Sequence, residues 1–127
     1  MSGRSNASEL GRIRWTDAEL RDIKIDYDAV SLRVQESDGV VRTLRAEGYI
    51  GYSLVGFWDE VVVVGAEVVD EHLGLDACIA SLQRRLGASW LDSGNHARNE
   101  RRWSALLVHF SDASVLEVFA ARFLVDP

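Results

Sequence analysis

The stretch Tyr49-Ile50-Gly51-Tyr52-Ser53-Leu54-Val55-Gly56-Phe57-Trp58-Asp59-Glu60-Val61-Val62-Val63-Val64 decides how the chain is read. Four consecutive β-branched valines favour an extended backbone, and the run is far shorter than the roughly 20 apolar residues that span a bilayer. They mark a buried strand over about residues 60–69, which leads into the acidic Asp70-Glu71. Ahead of the valines, Gly48, Gly51 and Gly56 punctuate the aromatics. Glycine opens backbone conformations closed to other residues, so this segment predicts a bent or bulged connection.

Outward from that stretch the pattern is period two. Ile23, Ile25 and Tyr27 alternate with Asp22, Lys24, Asp26 and Asp28, and Val30, Leu32 and Val34 alternate with Ser31, Arg33 and Gln35. Such alternation puts one face in a core and the other in water. Glu36-Ser37-Asp38-Gly39 supplies turn chemistry before a third strand near residues 40–47, which completes an antiparallel meander. On the other side, Leu75, Cys78, Ile79, Leu82 and Leu86 recur at helical spacing, with Asp76 placed to cap the start, Arg84 and Arg85 in the last turn and Gly87 as a stop. Residues 103–110 and 114–124 are β-rich runs around Ser111-Asp112-Ala113, the pattern of a closing hairpin. The expectation is an α+β fold. About six strands, a β-meander plus a C-terminal hairpin, form one antiparallel sheet packed against one main helix at residues 76–86. Residues 1–12 lack periodicity and read as a flexible leader, with a single domain over residues 13–127.

Composition bounds function. The chain has 127 residues, 47% hydrophobic and 27% charged, enough for one core. Its net charge is −6, and the acids concentrate early: residues 1–76 hold 15 Asp or Glu against 8 Lys or Arg, residues 77–127 hold 5 against 6. Nucleic-acid binding relies on cationic side chains that displace counterions, so DNA and RNA are not expected partners. A membrane partner is not expected either, for want of an apolar segment of spanning length. The single cysteine, Cys78, excludes an internal disulfide, and with no secretory signal pattern in view the expected compartment is the cytoplasm.

No motif spacing for catalysis, metal or phosphate is present, so neither cofactor nor metal is expected and no catalytic residue is assigned. His72 follows Asp70 and Glu71, where carboxylates could orient an imidazole, and His109 lies in an apolar strand. The other histidine, His96, sits in Asp92-Ser93-Gly94-Asn95-His96 without a nucleophile elbow. The least ordinary feature is aromatic. Tyr49, Tyr52, Phe57 and Trp58 crowd ten residues, and Asp59 and Glu60 supply a charged rim, as at interface anchors.

The opening Ile13-Arg14-Trp15-Thr16-Asp17-Ala18-Glu19-Leu20, leading into Ile23-Lys24-Ile25-Asp26-Tyr27 and Val30-Ser31-Leu32-Arg33-Val34, resembles small bacterial uncharacterised proteins and immunity proteins of contact-dependent toxin systems. The resemblance covers about residues 13–60 and transfers no binding residues. It implies a non-enzymatic module that binds a protein, in the immunity-type version a basic toxin. Tyr49, Tyr52, Phe57, Trp58, Asp59, Glu60, Asp70 and Glu71 are the contact candidates on this reading. The alternative is a small-ligand binder or enzyme with a pocket between sheet and helix, lined by Tyr49, Tyr52 and Trp58 and using His72 or His109. A third reading is a homo-oligomeric structural subunit joined through sheet edges.

Overall fold

The structure, a computed structural model, describes residues 6–57, 61–86 and 103–126. Two helices and eight strands follow in the order α1 (Asn6–Leu10), β1 (Glu19–Ile25), β2 (Ala29–Gln35), β3 (Val41–Glu47), β4 (Gly51–Val55), β5 (Val63–Val69), α2 (Leu73–Leu86), β6 (Ser104–Phe110), β7 (Val115–Ala120) and β8 (Arg122–Val125). All pairing is antiparallel, in two four-stranded sheets ordered β1-β2-β3-β8 and β4-β7-β6-β5.

The expected single sheet of about six strands is therefore two sheets of four. The reason is two bends. Leu44 pairs with Val125 and Glu47 with Arg122, then Gly51 pairs with Phe119 and Val55 with Val115. This is one long ladder with a one-residue offset, broken where Gly48 takes φ +66° opposite Ala121. The Ala121 amide reaches both Glu47 O and Gly48 O, at 3.1 and 3.3 Å. Each long path thus becomes two strands that turn from one sheet into the other. At the opposite margin Glu19 bridges Val62, and backbone bonds join Leu20 N to Val61 O and Val63 N to Ala18 O. The sheets are linked at both margins around a shared core that includes Leu32, Leu44 and Phe123 from the first and Leu106, Leu116 and Val118 from the second. Burial of such side chains is the main favourable term in folding.

The three meander strands are present, but the core face expected on β1 is only partly formed: the register slips between Leu20 and Asp22, Leu20 is buried and Ile23 packs on the core, whereas Ile25 and Tyr27, the latter past the strand's end, are exposed. The turn after β2 closes through Glu36 N to Val40 O at 2.7 Å. The leader over residues 1–12 is not uniformly free. Asn6–Leu10 form α1, which buries Glu9 and Leu10 and lies along β8. Asn6 Oδ1 accepts from Phe123 N (3.0 Å), Glu9 Oε1 from Val125 N (2.9 Å), and Arg12 Nη1 donates to Val125 O (3.0 Å). These side chains satisfy the outer edge of β8 as a neighbouring strand would.

Helix α2 starts at Leu73, three residues before the expected Asp76. Its cap is His72, whose Nδ1 accepts from Gly74 N at 3.1 Å, while Asp76 lies within the first turn. The helix covers part of the outer face of the second sheet, with Leu75 against Ala105, Leu107 and Phe119. The stop expected at Gly87 lies outside the described residues.

Candidate functional site

Strand β4 is the margin of the second sheet, paired on one side to β7 alone. Opposed residues in a ladder share a face, so its register sorts its side chains. Tyr52 and Leu54 lie opposite Val118 and Leu116 and point to the core side, whereas Gly51, Ser53 and Val55 lie opposite Phe119, Glu117 and Val115 on the helix side. On the core side the first sheet meets this region at Tyr49, whose phenol donates to Asp26 O at 2.9 Å. Beyond that point the apolar side chains stay open: Tyr52 is 45% exposed and Leu54 49%. On the helix side α2 approaches only the beginning of β4, where Cys78 Sγ donates to Ile50 O at 3.3 Å. A Cβ at Gly51 would stand 2.7 Å from that sulfur, so the missing side chain admits the helix. Burial there raises the Cys78 thiol pKa, which keeps it protonated and unreactive.

Further along, Val55 is 61% exposed and Phe57 77%. Between them Gly56 holds φ +147°, and a Cβ there would fall 2.2 Å from Ser114 Oγ. That close approach ties the end of β4 to the turn between β6 and β7, where Asp112 Oδ1 accepts from Ser114 N at 2.9 Å. Tyr52, Leu54 and Val55 thus stand on a paired strand, with Phe57 just past the bend at Gly56.

Among the sequence-predicted contact residues, Tyr49 is half-buried against the main core, and Tyr52 and Phe57 are exposed. Trp58, Asp59 and Glu60 lie outside the described residues. Asp70 and Glu71 follow β5, the opposite margin of the same sheet, three strand spacings or roughly 14 Å from β4. Asp70 is occupied at that end, where Oδ1 accepts from Ser104 Oγ at 2.9 Å. The acids at 70 and 71 and the aromatics at 52 and 57 therefore do not form one patch. Leu54 and Val55, which the sequence reading passed over, belong to the site. Their signal was the absence of any charge from Gly51 to Phe57.

The two candidate histidines sit in separate carboxylate pairs. His72 Nε2 stands 3.8 Å from Glu117 Oε2, and because Nδ1 accepts from Gly74 N, the ring proton belongs on Nε2. His72 also tilts against Phe119 at a centroid distance of 6.2 Å. His109 Nε2 is 3.3 Å from Glu67 Oε2 in an exposed pair on β6 and β5. Beneath α2, the residues flanking these pairs pack solidly: Leu75, Ala105, Leu107 and Phe119 are buried together. Two clefts among the described residues open elsewhere. One of about 400 Å³ is lined by Asp17, Glu19 and Glu36, and one of about 320 Å³ by Leu10, Trp15 and Val68. In the first, Glu36 is already engaged by Arg42 Nε (3.2 Å) and by Arg14 N (3.0 Å). No group of three or more His, Cys, Asp or Glu suited to a metal occurs among the described residues. Nor does any helix among them have the length and apolarity to cross a membrane.

No protein-family model matches the chain, and no match was found among curated proteins or among solved structures. The functional reading therefore rests on geometry.

Proposed function

We propose that the chain is a non-enzymatic protein-binding module whose contact surface is the uncovered margin formed by β4 and Phe57. The observation that carries this is the run of exposed apolar side chains at Tyr52, Leu54 and Val55, on both faces of one edge strand, and at Phe57 just beyond its end. Contiguous apolar exposure on an acidic domain is a feature of interaction sites, and aromatics there act as anchors. The net charge of −6 favours a basic partner, as in an immunity protein facing a basic toxin, with association that weakens as salt rises.

Site-specific photocrosslinking in the host cell tests this. A benzophenone amino acid replacing Phe57 or Tyr52 is expected to yield a discrete protein adduct that is absent when it replaces Val41, an exposed residue at the far end of β3. No adduct from 52 or 57, or the same adduct from 41, would remove the proposal.

A further inference from the structure

Among the described residues the two sheets have four margins, and three of them are closed to further strands. The outer edge of β8 is answered by Asn6, Glu9 and Arg12. On β1 the ladder slips between Leu20 and Asp22, the strand carries Glu19, Arg21, Asp22 and Lys24, and its start already bonds Val61 and Val62. The ladder of β5 slips between Val63 and Gly65, and Glu67 stands in its centre. Bulges, charges and covering side chains are the devices that keep a sheet edge from pairing. Among the described residues, strand β4 has none of them. Its register is unbroken from Gly51 to Val55, and it contains neither charge nor proline.

We infer that β4 receives an extended segment of its protein partner as a fifth strand of the second sheet, and that this segment is uncharged in its centre and basic at its flank. The inference rests on the protein-binding reading above and specifies the partner's conformation and charge. An added strand finds apolar neighbours on both faces, Tyr52 and Leu54 on one and Val55 on the other, while the open backbone edge supplies hydrogen bonds. The flanking charge follows from Asp26, whose main-chain carbonyl accepts from the Tyr49 phenol just before β4 begins and whose exposed carboxylate has no ion-pair partner among the described residues. Asp28 beside it meets Arg45 only at 3.8 Å. A second copy of this chain carries a net charge of −6 and no Lys or Arg from residue 48 to residue 60 to meet that charge, which disfavours self-pairing.

The test uses the full chain and two synthetic peptides: Lys-Lys-Thr-Val-Thr-Val-Thr-Lys-Lys, and the same sequence with glutamate in place of lysine. The lysine peptide is expected to slow amide hydrogen exchange at residues 51–55 and to bind about tenfold tighter than the glutamate peptide at low salt, the gap closing near 1 M salt, where screening acts over roughly 3 Å. Leu54→Lys and Val55→Lys should each weaken the lysine peptide about tenfold while leaving the unfolding midpoint in place, Val55 serving if the first substitution disturbs the fold. Equal affinity for the two peptides, or protection outside β4, would overturn the inference. So would protection that grows with protein concentration in the absence of peptide, since a second copy would then hold the edge. Protein adducts from positions 52 and 57 without β4 protection would end strand addition and leave protein binding standing. Loss of the adducts themselves would end both.

Discussion

Glu9 is a buried carboxylate acting in place of a strand, accepting from the Val125 amide and from Arg12. Glu9→Ala strands a buried amide and is expected to lower unfolding free energy by roughly 2 kcal/mol in a urea titration, with Glu9→Gln costing less. Glu47 works by charge. The Arg122 guanidinium hydrogen-bonds it and Arg45 adds a second contact, holding its pKa below the ordinary carboxylate value despite partial burial. A depressed native pKa means the ionised form is stabilised by folding. Its contribution is complete above the unfolded-state pKa and fades as pH falls through the native one. Glu47→Gln should therefore lower the melting temperature at neutral pH and flatten its fall on acidification; an unchanged acid limb would refute that role. Gly56→Ala places a methyl against Ser114 at a positive φ and should cost about 1–3 kcal/mol by the same titration. Neither carboxylate's role was legible in the sequence, whereas the backbone freedom used at Gly56 was. Glu9 belongs to a stretch without periodicity, and Glu47 acquires Arg122 from a strand 75 residues away.

At the scale of elements, α2 begins where a side chain other than the expected one caps it. His72→Ala should destabilise the helix start by about 1 kcal/mol, while His72→Asn, which retains an acceptor, should recover most of it, read from helical circular dichroism and the unfolding midpoint. The strands β2 and β3 were legible because each buries one face, which writes a period of two into the residues, whereas on β1 the bulge after Leu20 breaks that period and leaves Ile25 exposed. Strand β4 was read as a connection because its glycines resemble loop punctuation. In the structure Gly51 makes room for Cys78 and Gly56 approaches Ser114, so both are packing features. The segment read as a bent connection is a corner at Gly48 followed by a strand. The candidate site was half legible for the same reason. Tyr52 and Phe57 stood out as aromatics, whereas the exposure of Leu54 and Val55 depends on β4 being a margin, and strand order is not written in local sequence. Nor did adjacency in sequence bring Asp70 and Glu71 to the aromatics, since β4 and β5 are opposite margins of the sheet.

At the scale of the whole molecule, the described residues form a pair of sheets joined at both sides, with three defended margins and one open margin on an acidic body. Closure at both sides leaves few places for another chain to add, and the bends at Gly48 and Ala121 set β4 beyond the reach of the first sheet. Salt should accordingly alter partner association more than folding stability, because the core is apolar while the long-range field is that of exposed carboxylates. The most direct measurement is residue-resolved amide exchange across Gly51–Val55 in the chain alone. If β4 is an open edge, the alternate amides that face away from β7 exchange rapidly while those of Leu106 and Val108 in β6 stay protected. Uniformly slow exchange along β4 would mean that the edge is already occupied, and the proposed contact surface would fall with it.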